Sequence, residues 1–246
     1  MTDQFTSDRH GASGWVETVG PAALCRDIHK VYPTMDEQVE ALRDVDKDFL
    51  PGRITTIAGP SGSGKSSLLR ILACVDRPDH GQVRIGATEV SGLGARGRRA
   101  LRRTAVGYVF QNPMDNLVEY LDAVDQLKLA ARLRGVRPGS GPAADVDRLL
   151  ELLGLAHRRS HRPVHMSGGE QQRLAVACAV IGHPSIVVAD EPTAELDSAS
   201  ADRVLDAMRS LRDEGVAFIL SSHDARVVEA TDHLLRLEHG RTVESW

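Results

Sequence analysis

The distribution of apolar residues divides the chain into short segments. Leu24–Tyr32 and Val39–Leu50 read as strands, and the run Ile54–Ala58 reads as a buried one. Ser66–Val75 then reads as a helix, Gln82–Ile85 as a strand, and Val106–Phe110 as the strand that closes the first half. Between Asn112 and Pro163 the pattern changes. Tyr120–Arg134 and Ala144–Leu153 read as helices, separated by the turn-rich Gly135–Pro142. A helix at Gly169–Ile181, a strand at Ile186–Ala189, a helix at Ala199–Asp213 and a strand at Ala217–Ser221 follow, then a short helix and a strand pair near Leu234–Val243. Such alternation predicts an α/β domain, a mostly parallel sheet covered by helices. The polar stretch 1–20 reads as a loose tail, 21–246 as one domain, and about 112–182 as a helical subdomain inserted into it.

Composition narrows the classes. With 246 residues and 41% hydrophobic content the chain can build one substantial core. A net charge of −4 argues against a dedicated nucleic-acid binder, so no nucleic acid is expected as partner. The basic run Arg96, Arg98, Arg99, Arg102, Arg103 reads as a solvated helix face. Cys25, Cys74 and Cys178 are too far apart for a zinc pattern and too few for a disulfide framework, and Cys74 and Cys178 sit in apolar runs as core residues. No stretch approaches the length of a membrane span and the N-terminus has no signal pattern, so a cytoplasmic protein is expected, with any membrane role supplied by a partner.

The first chemical motif is Gly59-Pro60-Ser61-Gly62-Ser63-Gly64-Lys65-Ser66, lying between a predicted strand and a predicted helix. A polyphosphate needs converging N–H groups, and glycines provide the backbone conformations without side chains in the way. The following helix adds the positive end of its dipole. Lys65 is placed to reach the β- and γ-phosphates and Ser66 to ligate Mg²⁺, with Ser67 beside it in the nucleotide-binding set.

A second motif is the strand Ile186-Val187-Val188-Ala189, which delivers Asp190 and Glu191 at its end. Parallel strands carry their functional groups at the C-terminal edge, the edge that also holds the phosphate loop. Because neighbours on an extended strand point to opposite sides, Asp190 is assigned to the metal and Glu191 to the attacking water as general base.

Phosphate loops occur in many protein classes. Ser167-Gly168-Gly169-Glu170-Gln171-Gln172-Arg173, opening a predicted helix, offers a second anion site. This segment resembles the signature of ABC ATPases, and further marks fall in order around it. Tyr32 resembles the aromatic residue that stacks on adenine, Gln111 the glutamine ahead of the helical subdomain, Glu195-Leu196-Asp197 the loop after the second carboxylate, and His223 the switch histidine. Singly, Tyr32, Gln111 and His223 would be read as ordinary packing or surface residues. Met166, Glu170 and Cys178 depart from the family's usual Leu, Gln and Arg, and the Glu variant resembles the branch associated with lipoprotein release, macrolide and peptide export.

The resemblance implies a P-loop NTPase of the ABC-ATPase fold, with an antiparallel β subdomain and an inserted helical subdomain. It implies ATP and Mg²⁺ as ligands and a pair of ATPase subunits, homodimeric or heterodimeric, that sandwich two ATP. Ser167, Gly168, Gly169 and Glu170 would then meet nucleotide in trans, Asp197 would help join the two sites, His223 would hold the γ-phosphate and the water, and Gln111 would sense Mg²⁺. A separate permease is expected to dock near Asn116–Tyr120, holding the chain at the inner face of the cell membrane. Two other readings share the ATPase chemistry: a soluble ATPase of ribosomes or DNA, and a regulatory subunit of a wall-remodelling permease.

Overall fold

The chain is described by a computed structural model covering residues 20–33, 38–137, 141 and 145–246. The expected tail, 1–20, falls outside these except for Gly20, as does part of the expected turn at 135–142.

In chain order the first half comprises β1 (Ala23–Pro33), β2 (Gln38–Phe49), β3 (Ile54–Ala58), α1 (Lys65–Leu72), β4 (His80–Ile85), β5 (Thr88–Glu89), α2 (Ala95–Ala105) and β6 (Val106–Val109). Three helices follow: α3 (Ala123–Leu133), α4 (Val146–Leu152) and α5 (Gly168–Val180). The chain finishes with β7 (Ile186–Asp190), α6 (Ser198–Asp213), β8 (Phe218–Ser222), α7 (Ala225–Glu229), β9 (His233–Glu238) and β10 (Arg241–Ser245).

The strands form two sheets. One is antiparallel, in the order β2-β1-β4-β5. The other runs β10-β9-β3-β8-β7-β6, with every neighbouring pair parallel except β9 and β10. The parallel register pairs Ala58 with Ser222, Asp190 with Ser221 and Val109 with Ala189. Four strand ends therefore open onto one edge.

Alternation along the parallel strands divides the core in two. Val187 and Ala189 of β7, with Phe218 and Leu220 of β8, pack in the cluster that holds Leu174, Val204 and Met208 of α5 and α6. Ile186, Val188 and Ile219 point the other way, into the cluster with Leu68, Leu69 and Leu72 of α1 and Phe49 of β2. β7 is buried on both faces, which explains its unbroken apolar run Ile186–Ala189; β3 is buried along its whole length as well, but carries Thr55 and Thr56 within it. Cys25 and Cys74 are buried in this interior, and Cys178 is half-buried against it. Burial pushes Cys25 and Cys178 up to about 12 and Cys74 to about 11, so none is a thiolate at neutral pH.

The predicted helix at Tyr120–Arg134 begins three residues later, at Ala123. Gln126 is buried and clasps the preceding segment, accepting from the Val118 N–H at 3.1 Å and donating to the Val118 carbonyl at 2.6 Å. The segment is thereby held as a turn, and Asp122 caps the helix by accepting from the Asp125 N–H at 2.9 Å. Among the described residues no helix is long and apolar enough to cross a membrane.

Candidate functional site

The loop between β3 and α1 has little freedom. At Gly59 (φ 149°) an added Cβ would lie 2.2 Å from the Leu237 carbonyl oxygen, and at Gly64 (φ 104°) 2.4 Å from that of Ala41. Gly62 (φ 77°) differs, since a Cβ there would meet nothing within 4 Å and would project into open space. Lys65 arches back over the loop, its Nζ donating to the Gly59 and Pro60 carbonyls at 2.7 and 2.9 Å. The buried Ser63 hydroxyl has no hydrogen-bond partner among the described residues.

This loop floors a cleft of about 1090 Å³ lined by Tyr32, Ser61–Ser67, Gln111, Asp190, Glu191 and His223. Residues far apart in sequence are thus gathered at one sheet edge. Tyr32 carries the Lys30 ammonium 5.1 Å from its ring centre and donates its phenol to Asp76 at 3.0 Å. The Gln111 amide reaches Glu195 Oε1 at 3.4 Å. Oxygen donors from Ser66, Gln111 and Asp190 share the cleft, and hard oxygen ligands suit Mg²⁺.

The two acids diverge for a reason other than strand alternation. Glu191 lies just beyond β7 with φ 46°, in the left-handed region, so the chain turns between Asp190 and Glu191. Ser221, fully buried at the end of β8, fixes that turn. Its hydroxyl donates to Asp190 Oδ1 at 2.6 Å and accepts the Glu191 N–H at 2.9 Å. Glu191 in turn faces His223, whose Nδ1 is 2.7 Å from Oε2 and 2.9 Å from Oε1. A carboxylate oxygen accepts, so the contact is a hydrogen bond in the tautomer that carries the proton on Nδ1.

Ser167–Glu170 and Asp197 are not among the residues lining the cleft; Ser167, Gly168 and Asp197 are exposed, and Gly169 and Glu170 are buried. Ser167 and Glu170 form a capping box at the start of α5: the Glu170 N–H donates to Ser167 Oγ at 3.3 Å, and the Ser167 N–H to Glu170 Oε2 at 2.9 Å. Asp197 caps α6 by accepting from the Ser200 N–H at 3.0 Å. A Cβ on Gly169 would lie 3.0 Å from that of Ser200, so the two helix starts are closely packed. Burial opposes the charge of Glu170, yet the Ser167 N–H and the Arg158 guanidinium hold its pKa at about 2. With one oxygen on Ser167 and the other on Arg158, Glu170 braces the helix start within its own chain.

Sequence reading missed Ser221, because a serine closing a buried strand carries no signal of its own. It also missed Arg43 and His239, which line the cleft from β2 and the β9–β10 turn. Nothing in a one-dimensional pattern indicates that those segments meet the phosphate loop.

The ABC transporter family profile matches residues 42–194. A macrolide export ATP-binding/permease protein MacB of Paracoccus denitrificans is 38% identical over 227 residues, which is 92% of this chain and 34% of that protein. The lipoprotein-releasing system ATP-binding protein LolD 2 of Caulobacter vibrioides is 37% identical over 221 residues, 89% of this chain and 96% of that protein. A solved dimeric ATP-binding cassette, in a post-hydrolysis state bound to ADP and Pi, superposes with a TM-score of 0.77 at 29% identity, over 91% of this chain and 97% of the other. The chain thus spans about a third of the macrolide-export relative and nearly all of the lipoprotein-releasing one.

Proposed function

Since the chain belongs to the ABC transporter family of ATPases, we propose that it powers a separate membrane permease in export or lipoprotein release, through two ATP sites each built from two chains. It binds and hydrolyses ATP. The observation that carries the two-chain reading is the separation just described. Lys65, Asp190, Glu191 and His223 line one cleft, whereas Ser167, Gly168 and Asp197 are exposed at the starts of α5 and α6, outside that lining.

In this reading the Gly59–Ser67 loop receives the phosphates of ATP, and Lys65 exchanges its two carbonyl contacts for β- and γ-phosphate oxygens. Tyr32 stacks on the adenine. Glu191 takes the proton of the attacking water, and His223, held on Glu191 through Nδ1, presents its other ring nitrogen to the γ-phosphate. Ser66, Asp190 and Gln111 would hold Mg²⁺, which supplies neutralisation of the charge gathering on the phosphates. From the second chain, Ser167 with the N–H groups of Gly168 and Gly169 closes on the γ-phosphate, and Asp197 contributes to the joint.

The permease docks at the surface around Asn116–Tyr120. Tyr120 is 73% exposed on that surface. Asn116 keeps that edge in shape, donating to the Tyr108 carbonyl and accepting the Phe110 N–H, each at 2.8 Å. The chain then works at the cytoplasmic face of the membrane as a peripheral subunit. The test is purification of tagged Glu191→Gln protein from native membranes with Mg-ATP. A multi-span permease should co-purify in stoichiometric amount; ribosomes or DNA-repair proteins in its place would refute the transporter reading.

A further inference from the structure

Helix α2 has eleven residues, five of them arginine and none acidic, in a chain whose net charge is −4. The structure divides these arginines into two groups. Arg98 and Arg102 are half-buried and anchor the helix, donating to the Leu93 carbonyl at 2.8 Å and to the Cys74 carbonyl at 3.1 Å. Arg96, Arg99 and Arg103 are exposed. Their spacings of three and four place them on one helix face.

These three are charged without a counter-charge. Elsewhere Arg70, Arg148, Arg158 and Arg212 each reach a carboxylate, whereas among the described residues no carboxylate pairs with Arg96, Arg99 or Arg103. Like charges three and four residues apart on a helix repel one another, so the face is complementary to an anionic surface. At its Arg103 end the surroundings are apolar as well as basic. Arg103 shares a groove with Leu133, which is 62% exposed, and with Tyr108, whose ring lies 4.6 Å from the exposed ring of Phe110.

Guanidinium groups beside an exposed aliphatic side chain and aromatic rings suit a lipid–water interface. There the cations meet phosphates and the apolar groups enter the headgroup boundary. A nucleic-acid backbone would use the arginines and leave Leu133 unemployed. We propose that the Arg96–Arg99–Arg103 face of α2 rests on anionic phospholipid headgroups of the membrane beside the permease. The inference rests on the transporter reading for its access to a membrane.

The test uses the purified full chain and co-sedimentation with vesicles of phosphatidylcholine alone or with added phosphatidylglycerol. Binding is expected only to the vesicles containing phosphatidylglycerol and is expected to be released by high salt. Arg96→Gln/Arg99→Gln should bind about 30-fold more weakly, Arg96→Lys/Arg99→Lys should bind like the wild type, and both should hydrolyse ATP at the wild-type rate. Equal partition to both vesicle types, or undiminished binding by the Gln variant, would overturn the proposal. So would tighter retention by duplex DNA or by an acidic peptide. Vesicle binding without a co-purifying permease would refute the transporter reading; a permease without vesicle binding would refute the lipid-binding face.

Discussion

The Ser221 hydroxyl donates to Asp190 Oδ1 across 2.6 Å, joining the ends of β8 and β7 at the edge where the cleft opens. The same oxygen accepts the Glu191 N–H, so one buried side chain sets the positions of both acids. Ser221 is a positioning residue that acts through Asp190 and Glu191.

Ser221→Ala removes a hydrogen bond to an ionised group and frees the turn at Glu191. ATP turnover should fall by about 10- to 100-fold. The Mg²⁺ concentration needed for half-maximal turnover should also rise, because Asp190 loses its orientation. Turnover measured across an Mg²⁺ titration checks both. A variant with unchanged Mg²⁺ dependence would show that Ser221 serves packing alone.

Gly62 and Gly64 should respond differently to alanine. At Gly64 the new Cβ would press within 2.4 Å of the Ala41 backbone, so Gly64→Ala should destabilise the fold severely. At Gly62 there is room, so Gly62→Ala should cost only the left-handed strain, about 1 kcal/mol, while its methyl group obstructs the approach of phosphate. Thermal melts combined with nucleotide binding separate the two outcomes: a well-folded Gly62→Ala protein that binds ATP weakly, and a Gly64→Ala protein that barely folds.

Glu170 links stability to pH. Its folded pKa of about 2 lies below the ordinary value of 4.5, so its contribution is fully present above pH 4.5 and is lost as pH falls from there towards 2. At neutral pH the shift corresponds to about 3 kcal/mol. Glu170→Gln can keep a capping box but loses the charge facing Arg158, so it should melt at a lower temperature at pH 7 and lose less stability between pH 4.5 and 2. Parallel melting curves against pH for the two proteins would contradict this role.

Much of this arrangement was legible in the chain, and the parts that were not have physical reasons. The strand–loop–helix around Lys65 and the apolar strand leading to Asp190 are local patterns, and both were readable. The start of α3 was not, because Tyr120 and Leu121 continue the apolar pattern while the buried Gln126 clasp that excludes them is a tertiary contact. Asp190 and Glu191 were separated by alternation, whereas the chain separates them by a left-handed turn, which sequence does not display at a glutamate. In the sequence the arginines of α2 form a single run that reads as a solvated face. Only the carbonyls of Leu93 and Cys74 distinguish the anchoring pair from the exposed three.

The composite site is tested most directly by mixing subunits. Lys65→Ala removes the phosphate-loop ammonium, and Ser167→Arg blocks the surface that meets the partner's nucleotide, so each variant alone should be inactive. When the two are combined and mixed dimers are isolated through distinct tags, one site draws on an intact Lys65 from one chain and an intact Ser167 from the other. Recovery of a substantial fraction of wild-type turnover in the mixed dimer is the expected result. Mixed dimers as inactive as the two parents would contradict a site shared between two chains.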